Sequence, residues 1–231
     1  PESPFTALDP RHPVTIGGYM NDPDLINNKM QLSLAMEAAR RVIPEVFTEL
    51  AALTGRHYPV LDAYQMEDAE AAVALINTAA ENAKEAAAHL RTEGLKVGVL
   101  SPNVLRPFPA EEFRAALKGV KALTVGDRAD SYGADGGNLS LEIRAALQLD
   151  PENRTRVLSR IYGLGGRDFY LDDARHFFDE ALRVARDGQL VKAFDYYGAT
   201  PGSPDRKAPP GLPALDAEEV SRGMAKVTKD E

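Results

Sequence analysis

The first long apolar pattern of the chain covers residues 25–54 and has helical spacing. Apolar side chains recur there every three or four residues, at Leu25, Ile26, Met30, Leu32, Leu34, Met36, Val42, Ile43, Val46, Phe47, Leu50 and Leu53. This spacing predicts one long helix rather than a strand. We expect Asp24 to cap the helix, Pro44 to kink it and Gly55 to end it.

Short apolar runs alternate with helical patterns after Gly55. The runs predict strands near 58–64, 71–76, 96–100, 122–125 and 157–162, and the intervening patterns predict helices near 79–92, 110–118, 139–148 and 172–187. Strands that alternate with helices are typical of an α/β fold with a mostly parallel sheet. Because right-handed crossovers place helices on both faces of such a sheet, we expect three layers.

Polar segments rich in proline flank this pattern. We therefore expect an extended linker or arm over residues 1–24, a long connecting helix over 25–56, an α/β domain over 57–198 and a proline-rich arm over 199–231. The chain opens without Met and without a strand or helix. This start is typical of the middle of a longer polypeptide or of the arm of a split subunit.

Composition excludes several kinds of chemistry. The 27 basic and 35 acidic residues give a net charge of −8, and there is no basic block, so nucleic acid is not an expected partner. The chain has no Cys, which excludes thiolate zinc sites, Cys-ligated clusters and a Cys nucleophile within it. No apolar run approaches the ~18 residues of a membrane helix, so we expect a cytoplasmic protein with no membrane partner.

A loop rich in glycine and aspartate, residues 127–138, follows one predicted strand and opens a helix. Ligands of α/β sheets bind at the carboxyl ends of strands, and helix N-termini attract anions. The loop could therefore bind a phosphate or a carboxylate. The favoured interpretation is a plain turn in which Asn138 caps the next helix, and the anion site is the alternative.

Two other loops follow predicted strands. The run GLGGRD at 163–168 lacks the third glycine of a dinucleotide-binding fingerprint, so it is more typical of a turn in which backbones approach closely. The run RPFP at 106–109 contains two prolines that fix the backbone and would present Arg106 and Phe108 rigidly. Packing or a contact with another subunit is the favoured role, and ligand binding by Arg106 is the alternative.

The order of short motifs along the chain carries a family resemblance. The motifs are HPVTIGG (12–18), GRHY (55–58), LRTEGLKVGVL (90–100), RPFP (106–109), DRADSYG (127–133), GLGGRD (163–168) and YG (197–198). Together they resemble the C-terminal half of the alpha subunit of 2-oxoacid:ferredoxin oxidoreductases, the family of pyruvate:ferredoxin oxidoreductase (pyruvate synthase). One departure is Asn77-Thr78, which stands where many members have a Gly-Ser pair.

The resemblance implies a fold like the C-terminal domain of transketolase and a role within a multi-subunit enzyme. The family decarboxylates 2-oxoacids with thiamine diphosphate and Mg, passes electrons through [4Fe-4S] clusters to ferredoxin, and usually transfers the acyl group to coenzyme A. The chain matches only the domain after the pyrimidine-binding domain. The resemblance therefore implies no catalytic, cofactor-binding or metal-binding residue in this chain.

The same resemblance implies partners that supply the missing parts. These are pyrimidine-binding, diphosphate-binding, gamma and ferredoxin-like cluster domains or subunits, with ferredoxin and coenzyme A as substrates of the complex. The candidate contact residues lie in two loops: Arg106, Pro107, Phe108, Pro109, Asp127, Arg128, Ser131 and Gly133.

Two hypotheses compete. In the first, the chain is a noncatalytic domain or split subunit that buries its long helix and proline-rich arms on partners and is inactive alone. In the second, it is an independent α/β module that binds a small anionic ligand at the 127–138 loop. A beta subunit of a branched-chain dehydrogenase is a weaker third reading, because the GLGGRD run is expected in the ferredoxin-linked family.

Overall fold

The computed structural model describes residue 11, residues 20–190 and residues 192–199. The HPVTIGG motif and the arms expected over 1–24 and 199–231 therefore lie almost wholly outside the described residues.

Helix α1 (Asp24–Thr54) confirms the long helix expected from the apolar spacing. Gly55 ends it in the left-handed conformation at φ 70°, and the Gly55 N–H donates to the carbonyl of Ala51 at 2.8 Å. The expected cap is wrong. Pro23 takes the N-cap position without a side-chain hydrogen bond, and Asp24 is the first helical residue, where its charge still favours the helix dipole.

Six strands form one mixed sheet. They are β1 (Leu61–Tyr64), β2 (Ala71–Ala74), β3 (Val97–Pro102), β4 (Ala122–Asp127), β5 (Arg156–Ile161) and β6 (Phe194–Tyr196), in the order β1-β3-β2-β4-β5-β6. Every neighbouring pair is parallel except β1 and β3, which pair antiparallel at one edge. The sequence did not predict β6.

Helices cover both faces of the sheet, as expected. They are α2 (Asn77–Thr92), α3 (Ala110–Ala116), α4 (Asn138–Gln148) and α5 (Leu171–Asp187). Val73 of β2 and Leu75, which follows that strand, pack with Phe177 on the face under α2 and α5. Their neighbours on the other face, such as Leu123, pack with Phe113 of α3. The three-layer α/β architecture is therefore confirmed.

The strand order creates a switch point in the middle of the sheet. From β2 the chain passes to β3 on one side and then returns to β4 on the other. The loops that leave β2 and β4 therefore run in opposite directions at the carboxyl edge. In open α/β sheets the crevice between such loops is the usual place for a ligand or partner.

Candidate functional site at the carboxyl edge

The carboxyl ends of β2 to β6 meet at one edge of the sheet because these five strands are parallel. We call this surface the carboxyl edge. It is built by the turn at Asn77 and by the loops 103–109, 128–137 and 162–170. All the candidate contact residues lie on two of these loops or at the end of β4.

Asp127 closes β4 and holds the start of α4. Its two carboxylate oxygens accept the backbone N–H groups of Leu139 at 2.8 Å and Ser140 at 3.2 Å. The side chain is only 6% exposed. Burial raises the pKa of Asp127, and the two N–H donors oppose that rise. Asp127 is thus the cap of α4, placed from the end of a neighbouring strand.

The glycines of the 127–138 loop allow this close approach. A Cβ on Gly137 would collide with the Asp127 carboxylate, and a Cβ on Gly136 would meet Ser140 Oγ at 2.5 Å. The Gly137 N–H donates to Ser159 Oγ at 3.0 Å, which ties the loop to β5. The glycines therefore serve close packing between the loop, β4 and β5.

This arrangement corrects the expected cap and weakens the hypothesis of an anion site. Asn138 does not cap α4, and its side-chain oxygen accepts a hydrogen bond from Ser131 Oγ instead. The N–H groups of Gly137, Leu139 and Ser140 already have protein acceptors. A carboxylate also occupies the position that a bound anion would need. The geometry therefore disfavours an independent anion-binding module at this loop.

The RPFP loop is partly anchored and partly exposed. The Phe108 ring stacks on Phe113 with centroids 5.3 Å apart, and the Phe108 carbonyl accepts a hydrogen bond from Arg40 of α1 at 3.1 Å. Pro109 is buried and Pro107 half-buried, whereas Arg106 is exposed and pairs with Glu142. Of these four candidate contact residues, Arg106 presents most surface.

The remaining candidate residues of the 127–133 segment lie nearer the surface than Asp127. Arg128 is exposed and donates to the Gly163 carbonyl at 3.0 Å, which joins the loops after β4 and β5. Ser131 is half-buried, and Gly133 is exposed with φ 84°. The structure therefore brings Arg128 and Gly163 together, while Arg106 lies on a separate loop.

The GLGGRD run forms a compact turn that fixes the end of the sheet. Gly163, Gly165 and Gly166 all have positive φ, which glycine adopts without strain. Arg167 donates to the Gly198 carbonyl at 2.7 Å and lies over the Tyr197 ring. The motif therefore joins the loop after β5 to the chain that leaves β6. A Cβ on Gly165 or Gly166 would meet nothing within 4 Å, so these two glycines serve the positive φ of the turn and not the expected close approach of backbones.

The turn at Asn77 explains the departure from the family motif. Asn77 has φ 55°, in the left-handed region where glycine is at ease and asparagine is the next best tolerated residue. Asn77 is exposed at the switch point between β2 and α2. The substitution therefore keeps the turn while adding an amide side chain to the carboxyl edge.

Exposed apolar side chains on the same edge were not predicted from the sequence. They are Leu105, Tyr132, Leu164, Tyr170, Leu171 and Tyr196. Tyr132 is the most exposed of them, at 83%. Their signal in the sequence is weak, because several of them adjoin other apolar residues and nothing in the sequence separates exposed from packed side chains there. Together with the exposed arginines and aspartates of the same loops they form a surface of mixed apolar and charged character. These charged residues are Arg106, Arg128, Arg167, Asp135 and Asp168.

The described residues do not assemble the donor groups of a metal site. Within residues 11, 20–190 and 192–199, no cluster of three or more His, Asp or Glu could hold a metal ion. The full sequence has no Cys to ligate an iron–sulfur cluster. A search of that same part of the chain finds no helix with the length and hydropathy needed to cross a bilayer.

Comparisons with known proteins identify the family. Residues 69–174 match the family described as "Pyruvate:ferredoxin oxidoreductase core domain II". The pyruvate synthase subunit PorA of Thermotoga maritima is 36% identical over 178 residues, which cover 77% of this chain and 45% of that protein. The ketoisovalerate oxidoreductase subunit VorA of Pyrococcus horikoshii is 32% identical over 194 residues, which cover 84% of this chain and 49% of that protein.

The chain spans about half the length of these curated relatives. Among solved structures, a 2-oxoglutarate:ferredoxin oxidoreductase from Magnetococcus marinus aligns at a TM-score of 0.41 and 19% identity, covering 54% of this chain and 20% of that chain. That score is too low to support any conclusion. The sequence relationship is sufficient, and the chain belongs to the 2-oxoacid:ferredoxin oxidoreductase family as a counterpart of the C-terminal part of its alpha subunit.

Proposed function

We propose that the chain is a noncatalytic domain or split subunit of a thiamine-diphosphate-dependent 2-oxoacid:ferredoxin oxidoreductase complex. The complex would convert a 2-oxoacid, with pyruvate the first candidate, and coenzyme A to acyl-CoA and CO2, or run the reverse reaction. Two electrons would leave one at a time to ferredoxin. The observation that carries this proposal is the relationship to PorA and VorA over most of this chain but only about half of theirs.

The chemistry of the described residues supports a scaffold role. Cofactors supply the difficult steps in such enzymes, while the protein supplies binding and position. Because the described donor groups fit neither a magnesium–diphosphate site nor a cluster, thiamine diphosphate, Mg and the [4Fe-4S] clusters are assigned to other domains or subunits. The chain alone is expected to be inactive.

The carboxyl edge is the proposed contact with those partners. Its exposed apolar side chains and its exposed arginines are the mixture that protein interfaces favour. Arg106, Pro107 and Phe108 on one loop, and Arg128, Ser131 and Gly133 on the other, form this proposed surface. The buried Pro109 and Asp127 lie beneath it, and Asp127 fixes the second loop. A partner would bury Tyr132 and Arg106 together with their neighbours.

The test is co-purification from the source organism under anaerobic conditions with a tag on this chain. We expect larger subunits to co-purify with iron, sulfide and thiamine diphosphate, and the complex to reduce ferredoxin when given coenzyme A and either pyruvate or 2-ketoisovalerate. The comparison of the two substrates identifies the preferred 2-oxoacid.

A matched pair of variants locates the contact. Tyr132→Glu places a charge on the carboxyl edge, whereas Leu149→Glu places one on a side chain that is 75% exposed at the opposite edge, where α4 ends. We expect Tyr132→Glu to lower the yield of co-purified subunits and Leu149→Glu to leave it unchanged. Purification of the tagged chain without other subunits or cofactors would contradict the scaffold role. Equal yields from both variants would contradict the assignment of the contact to the carboxyl edge.

A further inference from the structure

Helix α1 carries an apolar seam that runs over its whole length. Positions spaced alternately by four and three residues are Leu25, Lys29, Leu32, Met36, Ala39, Ile43, Val46, Leu50 and Leu53. Eight of these nine are apolar, and the exception is Lys29. A seven-residue repeat that continues over about four heptads is typical of a helix that pairs in a left-handed coiled coil.

The seam is open to solvent in the described structure. Every residue from 24 to 38 is exposed, and Val46, Leu50 and Leu53 are exposed further along the helix. The second half of α1 rests on the α/β body, with Ala51 buried, Phe47 half-buried and Arg40 bonded to Phe108. Two seam residues, Ala39 and Ile43, are half-buried as well, and the other seven are exposed. The body therefore leaves most of the seam uncovered.

We propose that a second copy of this chain covers the seam, with the two α1 helices antiparallel. In this register Leu25 of one copy meets Leu50 of the other, Leu32 meets Ile43, and Met36 meets Ala39. The pairs at the middle of the helix combine large with small side chains, which allows the two backbones to approach. The inference goes beyond the proposed function, since it assigns to a second copy of the chain the helix that the first hypothesis places on partner subunits.

Charge selects the orientation. Antiparallel pairing sets Lys29 beside Val46 of the second copy, where its alkyl stem can pack and its ammonium group can reach Glu49 one turn away. In a parallel pair in register, Lys29 would face Lys29 across the seam, where two buried like charges repel. The flanking pairs of the antiparallel form, Ile26 with Phe47 and Ala35 with Val42, contain no like charges.

The length of α1 suits this partner. A helix of 31 residues is about 46 Å long at 1.5 Å per residue. Pro44, which cannot donate a backbone hydrogen bond, lies off the seam and leaves the pairing positions to Ile43 and Val46. A self-complementary patch of this kind closes as a two-fold dimer.

The first test is the mass of the full-length chain in solution, measured by light scattering over a concentration series. We expect a dimer. Leu32→Glu should weaken it at least about tenfold, because a carboxylate would be buried in an apolar seam. Leu34→Glu is the matched control, because Leu34 lies off the seam and is exposed to a similar degree, 62% against 52% for Leu32. Circular dichroism confirms that both variants stay folded.

The second test fixes the orientation. Because the chain has no Cys, single cysteines can be introduced without background. A mixture of the Ala35→Cys and Val42→Cys variants should form a disulfide between one copy of each. Either variant alone should crosslink less efficiently than the mixture. In addition, Lys29→Glu should weaken the dimer, and Lys29→Glu combined with Glu49→Lys should restore it.

Three results would overturn the proposal. They are a monomer at every concentration, a dimer that Leu32→Glu and Leu34→Glu weaken equally, and a dimer without the 35–42 crosslink. A monomer whose α1 amides are protected from hydrogen exchange would point instead to another segment of the same chain as the cover of the seam.

Discussion

The carboxylate of Asp127 caps a helix that begins eleven residues further along the chain. Replacing Asp127 with Ala removes both acceptors from the buried N–H groups of Leu139 and Ser140. We expect the free energy of unfolding to fall by about 1–3 kcal/mol, the usual cost of a lost cap or of unsatisfied buried donors. Urea denaturation of the purified chain measures the loss.

Asn138→Ala is the informative comparison for this prediction. The exposed Asn138 side chain accepts a bond from Ser131 and caps nothing. We expect it to cost less than about 0.5 kcal/mol, as surface substitutions usually do. A larger loss for Asn138→Ala than for Asp127→Ala would return the cap to the residue that the sequence suggested.

The two residues also show where sequence reasoning stops. Local patterns favour a cap directly before the helix, so Asn138 was the natural choice. Asp127 reaches Leu139 only because β4 ends beside the start of α4, which is a fact of tertiary packing. Asn77 is a second case. The sequence showed only that Asn77-Thr78 departs from the family's Gly-Ser pair, and the φ of 55° at Asn77 shows the backbone conformation that the position requires.

At the scale of elements, one ion pair joins β5, α5 and the segment before β6. Arg160 donates to both carboxylate oxygens of Glu180 at 2.8 and 2.9 Å and to the Lys192 carbonyl at 3.1 Å. Both side chains are largely buried. We expect Glu180→Ala to cost about 3–5 kcal/mol, because it leaves the Arg160 charge buried without a counter-charge.

The double variant Arg160→Met with Glu180→Leu removes both charges and keeps apolar side chains in their place. It therefore distinguishes the cost of an unpaired buried charge from the contribution of the ion pair itself. Apolar side chains of similar volume often replace a buried ion pair at little cost, so the double variant should be more stable than Glu180→Ala in the same denaturation assay. If the double variant is less stable than Glu180→Ala, the ion pair does more for the stability of this junction than neutralise a buried charge.

Most elements were predictable because each strand and helix carries its own apolar pattern. The five strands β1 to β5 and the five α-helices follow from such patterns. Strand β6 does not, because three residues are too few for a period and its place depends on pairing with β5. The carboxyl-edge surface also escaped prediction, since its exposed side chains come from separate loops that only the parallel sheet brings together.

At the scale of the whole molecule, the groups that make stability depend on pH in acid differ from those that do so in alkali. Arg91, Lys121 and Arg175 lower the pKa values of Asp68, Glu70 and Glu93 below their ordinary 3.8 to 4.5. A lowered carboxyl pKa contributes stability above the unfolded value and loses it as the pH falls. Because these carboxylates are exposed and screened by solvent, we expect the free energy of unfolding to fall only slightly as the pH is lowered. Added salt should make this fall smaller still.

At high pH the free energy of unfolding should fall more steeply, because the fall depends on tyrosines whose pKa is raised by burial. Burial raises the pKa of Tyr162 to about 12, and burial together with a hydrogen bond to Asp173 raises the pKa of Tyr197 to about 12, from an ordinary value of 10. Since the folded state keeps these protons longer than the unfolded state, the stability from each tyrosine is complete below pH 10 and is lost as the pH rises towards 12. For Tyr162 the full loss is about 3 kcal/mol, because two pKa units are worth about 1.4 kcal/mol each.

Tyr162→Phe should therefore flatten the fall in unfolding free energy between about pH 10 and 12. Tyr132→Phe is the matched control, because Tyr132 is 83% exposed and its removal should leave the alkaline limb unchanged. Denaturation at a series of pH values measures the limb, and absorbance of the phenolate counts the tyrosines that ionise late. If the two variants have the same alkaline limb as the unmodified chain, burial of Tyr162 does not govern it. In that case the loss of stability at high pH must come from the ionisation of other groups of the molecule.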